Sequence, residues 1–261
     1  MSVDAPAFPH RRAGHCGSGA LRDLLEHEGL DYGGGPLSEG AVFGFSGALG
    51  FLYVELPQMR PPIYLVGRTA ELETDLPAHL GGSVDIRDSD DPDEGWAIVR
   101  ERIDAGHPPL VWADIKHLDY LRVQMHNTRH DIVVAGYDEE AGIAWIADND
   151  RDDLQPCSLD SLRRARNSDA FPGPNHQRVF VYDWPQRLRD PRAAARDGIT
   201  RAVDNMRSGG GGALAGLPGR TGLIGVDALA SASPSPRMFA TAWATPSRTA
   251  ARGSRSRAGQ S

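Results

Sequence analysis

Cysteine and lysine are nearly missing from this chain, and so are long apolar runs. Two cysteines, Cys16 and Cys157, are too few for a disulfide framework and are expected to be free thiols. No stretch approaches the ~20 apolar residues that a membrane span requires. Met1 to Gly14 is polar and lacks the apolar core of a signal peptide, so the cytoplasm is the expected compartment and no membrane partner is expected. Of 28 basic residues only Lys116 is a lysine, a bias typical of a GC-rich bacterial genome that points to no mechanism. Acids are missing from one region, Ser231 to Ser261, which carries five arginines. Without it, 23 basic residues face 35 acidic ones, a net charge near −12 that argues against a nucleic-acid-binding body. The basic segment itself reads as a solvated, disordered tail.

What remains is the composition of a globular protein of one or two domains, with 30 glycines and 19 prolines implying much loop. Residues 17–29 read as a helix, with Ala20, Leu21, Leu24 and Leu25 on one face and Gly29 as a stop. A Gly-rich apolar stretch, Phe43 to Phe51, precedes a short buried strand expected at 62–67. A polar, acidic loop is expected over 83–94, then a helix over Trp96 to Ile103 and a short strand from Leu110 to Ala113. The clearest β signal is at 130–149. The runs Ile132 to Ala135 and Ile143 to Ala147 flank a turn composition, Gly136 to Gly142, which predicts an antiparallel hairpin. A helix is expected at 158–166, a strand at 178–182 and another helix from Asp190 to Arg207. The glycines at 209–212 read as a linker, because no Lys-Ser/Thr follows to make a phosphate loop.

The chemistry centres on Cys16. A free cysteine is commonly a small buried hydrophobe, but here a helix starts at once and small residues follow, Gly17-Ser18-Gly19. At a helix N-terminus, unpaired N–H groups favour thiolate over thiol and can stabilise an oxyanion. Cys157, after Pro156 in a polar loop, has no such setting. A thiolate nucleophile needs a proton acceptor, and His130 opens the first hairpin strand. With the turn centred near Glu139 and Glu140, His130 faces residues 148–150, so Asp148, Asn149 or Asp150 lies beside the imidazole. Asp148 is the first choice and Asp150 the second. Metal binding is not expected. His126 and His130 have i, i+4 spacing without a helical context, and nothing fixes the geometry of His117 with Asp114. Ser38 and Glu39 read as a turn and cap, with a role at the site as the alternative.

These residues resemble a known family. His15-Cys16-Gly17-Ser18-Gly19-Ala20-Leu21, Leu37-Ser38-Glu39, Phe43-Gly44-Phe45, Gly47 to Phe51, Gly67-Arg68, His130 to Asp138 and Ala147-Asp148 are similar, in that order, to the N-terminal domain of butirosin-biosynthesis protein H. The resemblance implies an α+β, papain-like fold related to the bacteriocin-processing peptidases, with an N-terminal helix bearing the cysteine and an antiparallel sheet bearing the histidine and aspartate. It implies a triad of Cys16, His130 and Asp148. It also implies transfer of an aminoacyl group from an acyl carrier protein's phosphopantetheine thioester to a small-molecule amine, in bacterial antibiotic biosynthesis. No cofactor is expected on the chain itself. The expected organisation is a disordered N-terminus (1–12), the catalytic domain (13–184), a partial helical C-terminal region (185–230) and the disordered basic tail (231–261). Two rivals stand beside acyl transfer. One is a cysteine peptidase or amidase with the same triad and water as acceptor. The other is a degenerate, non-catalytic binding module.

Overall fold

A computed structural model describes residues 5–57, 62–208 and 219–232. In chain order the elements are α1 (Cys16–His27), α2 (Glu39–Ser46), β1 (Leu49–Glu55), β2 (Ile63–Arg68), α3 (Leu72–Leu80), β3 (Ser83–Arg87), α4 (Pro92–Asp104), β4 (Leu110–Ala113), β5 (His130–Asp138), β6 (Ile143–Ala147), β7 (Gln155–Ser158), α5 (Leu159–Ala165), β8 (Val179–Asp183), α6 (Pro191–Ser208), β9 (Arg220–Thr221) and α7 (Gly222–Ser231). The class is α+β. A six-stranded sheet has the order β3-β8-β4-β5-β6-β7, a three-stranded one β2-β1-β9, and every pairing is antiparallel. No helix among the described residues is long and apolar enough to cross a membrane.

The apolar run of β5 is explained by burial on both sheet faces. Side chains alternate along a strand. Val133 joins Leu21, Leu24 and Leu25 of α1 in one core, while Ile132 and Val134 join Val99 of α4 and Leu162 of α5 in another. Leu110 and Val111 of β4 split between the two cores in the same way. The sheet is thus a middle layer, with α1 on one side and α4 and α5 on the other. The same alternation turns Asp131 toward the α1 side.

Several expectations need correction. The segment at 83–94 is not all loop: β3 pairs along its length with β8, from Ser83↔Asp183 to Arg87↔Val179. Its exposed, polar residues hid the strand. β2 is half-exposed rather than buried, because it lies at the edge of the smaller sheet. The apolar stretch at 43–51 divides into α2 and β1, separated by Gly47 in the left-handed region (φ 67°). Within the segment expected to be disordered, residues 5–12 lie against the body. Phe8 packs on the α1 core, His10 Nδ1 is 2.7 Å from Asp23 Oδ2, and Arg22 donates to the carbonyls of Arg11 and Arg12. The linker at 209–212 and the basic tail beyond Ala232 lie outside the described residues.

In the C-terminal region, α6 reaches back across the chain. Gly198 allows α6 to touch α2, since a Cβ there would come within 2.4 Å of the Gly44 carbonyl oxygen. Arg201 of α6 pairs with Asp75 of α3 at 2.6 Å.

Candidate active site

Cys16 is the first residue of α1, and the segment before it is pinned from two sides. Glu39, at the start of α2, accepts the N–H groups of Gly14 and His15 and the Ser18 hydroxyl, each at 2.9 Å. Burial works to raise the Glu39 pKa, but those hydrogen bonds outweigh it and hold the carboxylate below its ordinary range. On the other side, Ala13 N–H donates to the Asn149 carbonyl at 3.0 Å, and the Asn149 amide returns to the Ala13 carbonyl at 3.3 Å. Both sequence readings of Ser38-Glu39 therefore apply. Ser38 caps α2 through Ala41 N–H, while Glu39 fixes the approach to Cys16.

His130 opens β5, and Asp148 follows β6 directly. His130 Nε2 lies 3.0 Å from Asp148 Oδ1, with both side chains nearly closed to solvent. Tyr120 Oη donates to the other Asp148 oxygen at 2.8 Å. The ladder pairs Val133 with Ala147 and stops there. Its spacing, carried three residues further, would set His130 opposite Asp150. Asp150 is instead 60% exposed and pairs with Arg151 and, at 3.8 Å, with Arg12. Strand arithmetic alone thus points to Asp150, whereas the carboxylate beside the imidazole is that of Asp148, because the chain turns after Ala147.

The electrostatics of the three groups reinforce one another. Burial would raise the Cys16 thiol, but the hydrogen bond and charge of His130, then Arg68, bring it down to about 7. Burial would lower His130, but the charge and hydrogen bond of Asp148, joined by Cys16, push it well up. Asp148 is itself held below its ordinary value, because His130 and Tyr120 outweigh its burial. These directions favour a thiolate facing an imidazolium at neutral pH.

A second ionic group also lies beside the sulfur. Cys16 Sγ is 3.5 Å from Asp131 Oδ2. Arg68 bridges Asp131 (3.4 Å) and Glu73 (3.0 Å). Burial, with Glu73 and Cys16, raises Asp131 well above its ordinary value against the pull of Arg68. The sequence reading did not assign a role to Asp131, Glu73 or Tyr120; their distances along the chain give no local signal. Arg68 entered only through the Gly67-Arg68 motif. Cys16 opens into a cavity of about 500 Å³ lined by His15, Tyr64, Arg68, Trp112 and Arg129 among others.

Cys157 belongs to β7, a buried position rather than a polar loop, and burial followed by the Asp119 charge raises it to about 12. Asp114, His117 and His126 come together, each offering a ligand atom within 4.8 Å of the others. His126 Nδ1 is 2.6 Å from Asp114 Oδ2, which also accepts the Ser168 hydroxyl at 2.7 Å. The other Asp114 oxygen accepts backbone N–H groups of Lys116 and Asn127 at 3.2 and 3.1 Å. The carboxylate is fully used as a brace for the loop that enters β5.

No curated protein matches the chain. The model described as "Domain of unknown function (DUF4872)" matches residues 160–235. The model described as "Butirosin biosynthesis protein H, N-terminal" matches residues 15–149, just over half of the 261 residues and the whole span from His15 to Asn149 that holds Cys16, His130 and Asp148. The chain therefore belongs to the butirosin biosynthesis protein H N-terminal family.

Proposed function

We propose that this protein is a cysteine acyltransferase that moves an acyl or aminoacyl group from a carrier-protein thioester to an amine through an acyl-enzyme on Cys16. The observation that carries this reading is a thiol brought to about 7 at the mouth of a cavity, beside a histidine whose far nitrogen is held 3.0 Å from Asp148. Cysteine-first chemistry on a helix packed against an antiparallel sheet is a papain-like arrangement, and we read the fold that way. The family's description, which names butirosin biosynthesis, supports a place in bacterial antibiotic assembly.

In this scheme the Cys16 thiolate adds to the thioester carbonyl, and collapse of the tetrahedral intermediate expels the carrier's phosphopantetheine thiol with a proton from His130. The acyl-enzyme then meets the amine. His130, now neutral, accepts the amine proton as the second intermediate forms, and the amide leaves with Cys16 restored. Asp148 holds the imidazole and stabilises its charged form. Exchange between two thioesters is nearly balanced in energy and amide formation is downhill, so no nucleotide is required. The partners are an acyl carrier protein and a small amine acceptor, and the cytoplasm is the proposed compartment.

The test is intact-mass detection of an acyl adduct after exposure to an acyl-carrier thioester, followed by addition of amines. A mass increase of one acyl group on Cys16, discharged as amide, is expected. Transfer that survives Cys16→Ala would overturn the reading. Release of free acid alone, at the same rate with and without amines, would assign the triad to hydrolysis instead.

A further inference from the structure

His15 has one nitrogen committed to the fold and one that is not. As N-cap of α1, its Nδ1 accepts the Ser18 N–H at 3.2 Å. A nitrogen that accepts carries no proton, so the neutral ring is protonated at Nε2. Burial, then the charge of Arg68, lowers His15 to about 4 despite the nearby Glu73 and Glu39, and His130 acts in the same direction as Arg68. The ring is therefore a neutral donor at physiological pH. Its orientation is fixed. Phe43 meets it edge-on at 6.2 Å, and Gly17 leaves room for it, since a Cβ there would stand 3.3 Å from His15 Cε1. His15 Nε2 makes no hydrogen bond among the described residues, and His15 lines the same cavity as Cys16. The backbone N–H groups of Cys16 and Gly17, in the first turn of α1, likewise have no acceptor among the described residues.

We propose that His15 is a further catalytic residue, its Nε2–H completing, with the Cys16 backbone N–H, the oxyanion hole for the carbonyl that Cys16 attacks. This inference rests on the acyl-transfer reading. In the attack, Cys16 Sγ gives an electron pair to the carbonyl carbon, and the C=O π pair moves onto oxygen. That oxygen accepts the hydrogen bond from Nε2–H, which keeps its proton. Collapse reforms the C=O bond and expels the carrier thiolate, which takes its proton from His130. A neutral imidazole suits the task, because it donates without adding a second cation beside the His130 imidazolium.

The experiment compares two electrophiles on one sulfur. An acyl thioester of N-acetylcysteamine reacts through an oxyanion; iodoacetamide reacts by displacement at a saturated carbon and makes none. His15→Ala removes the donor and the cap. His15→Asn keeps a good N-cap acceptor but is too short to reach the carbonyl. Rates of both reactions are followed by intact mass, with circular dichroism to compare helix content. In both variants, acylation should fall about 10²–10³-fold while alkylation stays within about threefold of wild type. Unchanged acylation, or an equal fall in both reactions, would overturn the proposal, the latter by showing a purely structural cap. A wild-type protein that alkylates rapidly and never acylates would instead overturn the acyl-transfer reading together with this one. A wild type that acylates, with an unaltered ratio in the variants, would remove the role of His15 alone.

Discussion

The two cysteines of this protein both lie near a helix start, yet their surroundings pull the two thiols in opposite directions. Cys16 opens α1, and Cys157 lies two residues before α5. Burial raises the pKa of both. At Cys157 the nearest charge is Asp119, and the thiol goes up to about 12. At Cys16 the neighbours are His130 and Arg68, and the thiol comes down to about 7. A nearby helix start is thus not what sets the reactivity. The sign of the charge brought in from distant parts of the chain decides it, and of the two thiols it is Cys16 that lies beside cations, His130 and Arg68.

The comparison can be broken most completely at Cys16 itself. Cys16→Ala should reduce acyl transfer by at least about 10³-fold, whereas Cys157→Ala leaves it unchanged; a steady-state assay of both variants decides this. Asp148→Asn should cost about 10³–10⁴-fold in the same assay, because the imidazolium loses the carboxylate that stabilises it. For His130→Ala the sharper readout is iodoacetamide labelling at pH 7. A thiol at about 7 is half ionised there, while an ordinary one near 9.0 is ~1% ionised, so labelling should slow about 50-fold or more. In the wild type, the labelling rate of Cys16 should rise with pH through a midpoint near 7, and Cys157 should stay unlabelled until the chain is unfolded. The smallest effect is on stability. Glu39→Gln should lose about 1–2 kcal/mol in urea unfolding at pH 7, through weaker acceptance of the Gly14 and His15 N–H groups. Glu39 has a lowered pKa in the folded state, so its contribution is present above the ordinary value of 4.5. It is lost as pH falls through the lower folded one, and the difference between variant and wild type should close in acid.

How much of this was legible depended on the range of the interaction. The β5–β6 hairpin and the leucine face of α1 were readable because their period is local and their burial strong. β3 and β7 were not, because short outer strands with polar, exposed or proline residues resemble loops. The pairing of His130 with an acid followed from the hairpin, which left residues 148–150 open with Asp148 as first choice; the family resemblance pointed to the same residue, and its carboxylate lies 3.0 Å from the imidazole. The Arg68–Glu73–Asp131 group was invisible to spacing, since its members come from β2, α3 and β5 and meet only after the sheets are packed. The order at residues 5–12 also depends on partners far along the chain. Pro6 sits against Gly136, and Arg12 donates to the Asp150 carbonyl.

β8 has a consequence for how this chain can be inherited and made. The two matched regions end and begin on either side of residues 150–159, yet β8, from the later region, lies between β3 and β4 of the earlier one. The two are therefore not interchangeable modules. A chain cut after Asn149 would keep Cys16, His130 and Asp148 but lose an inner strand, exposing unpaired edges on β3 and β4 that invite aggregation. On the ribosome, the six-stranded sheet that carries His130 cannot close until Asp183 has emerged.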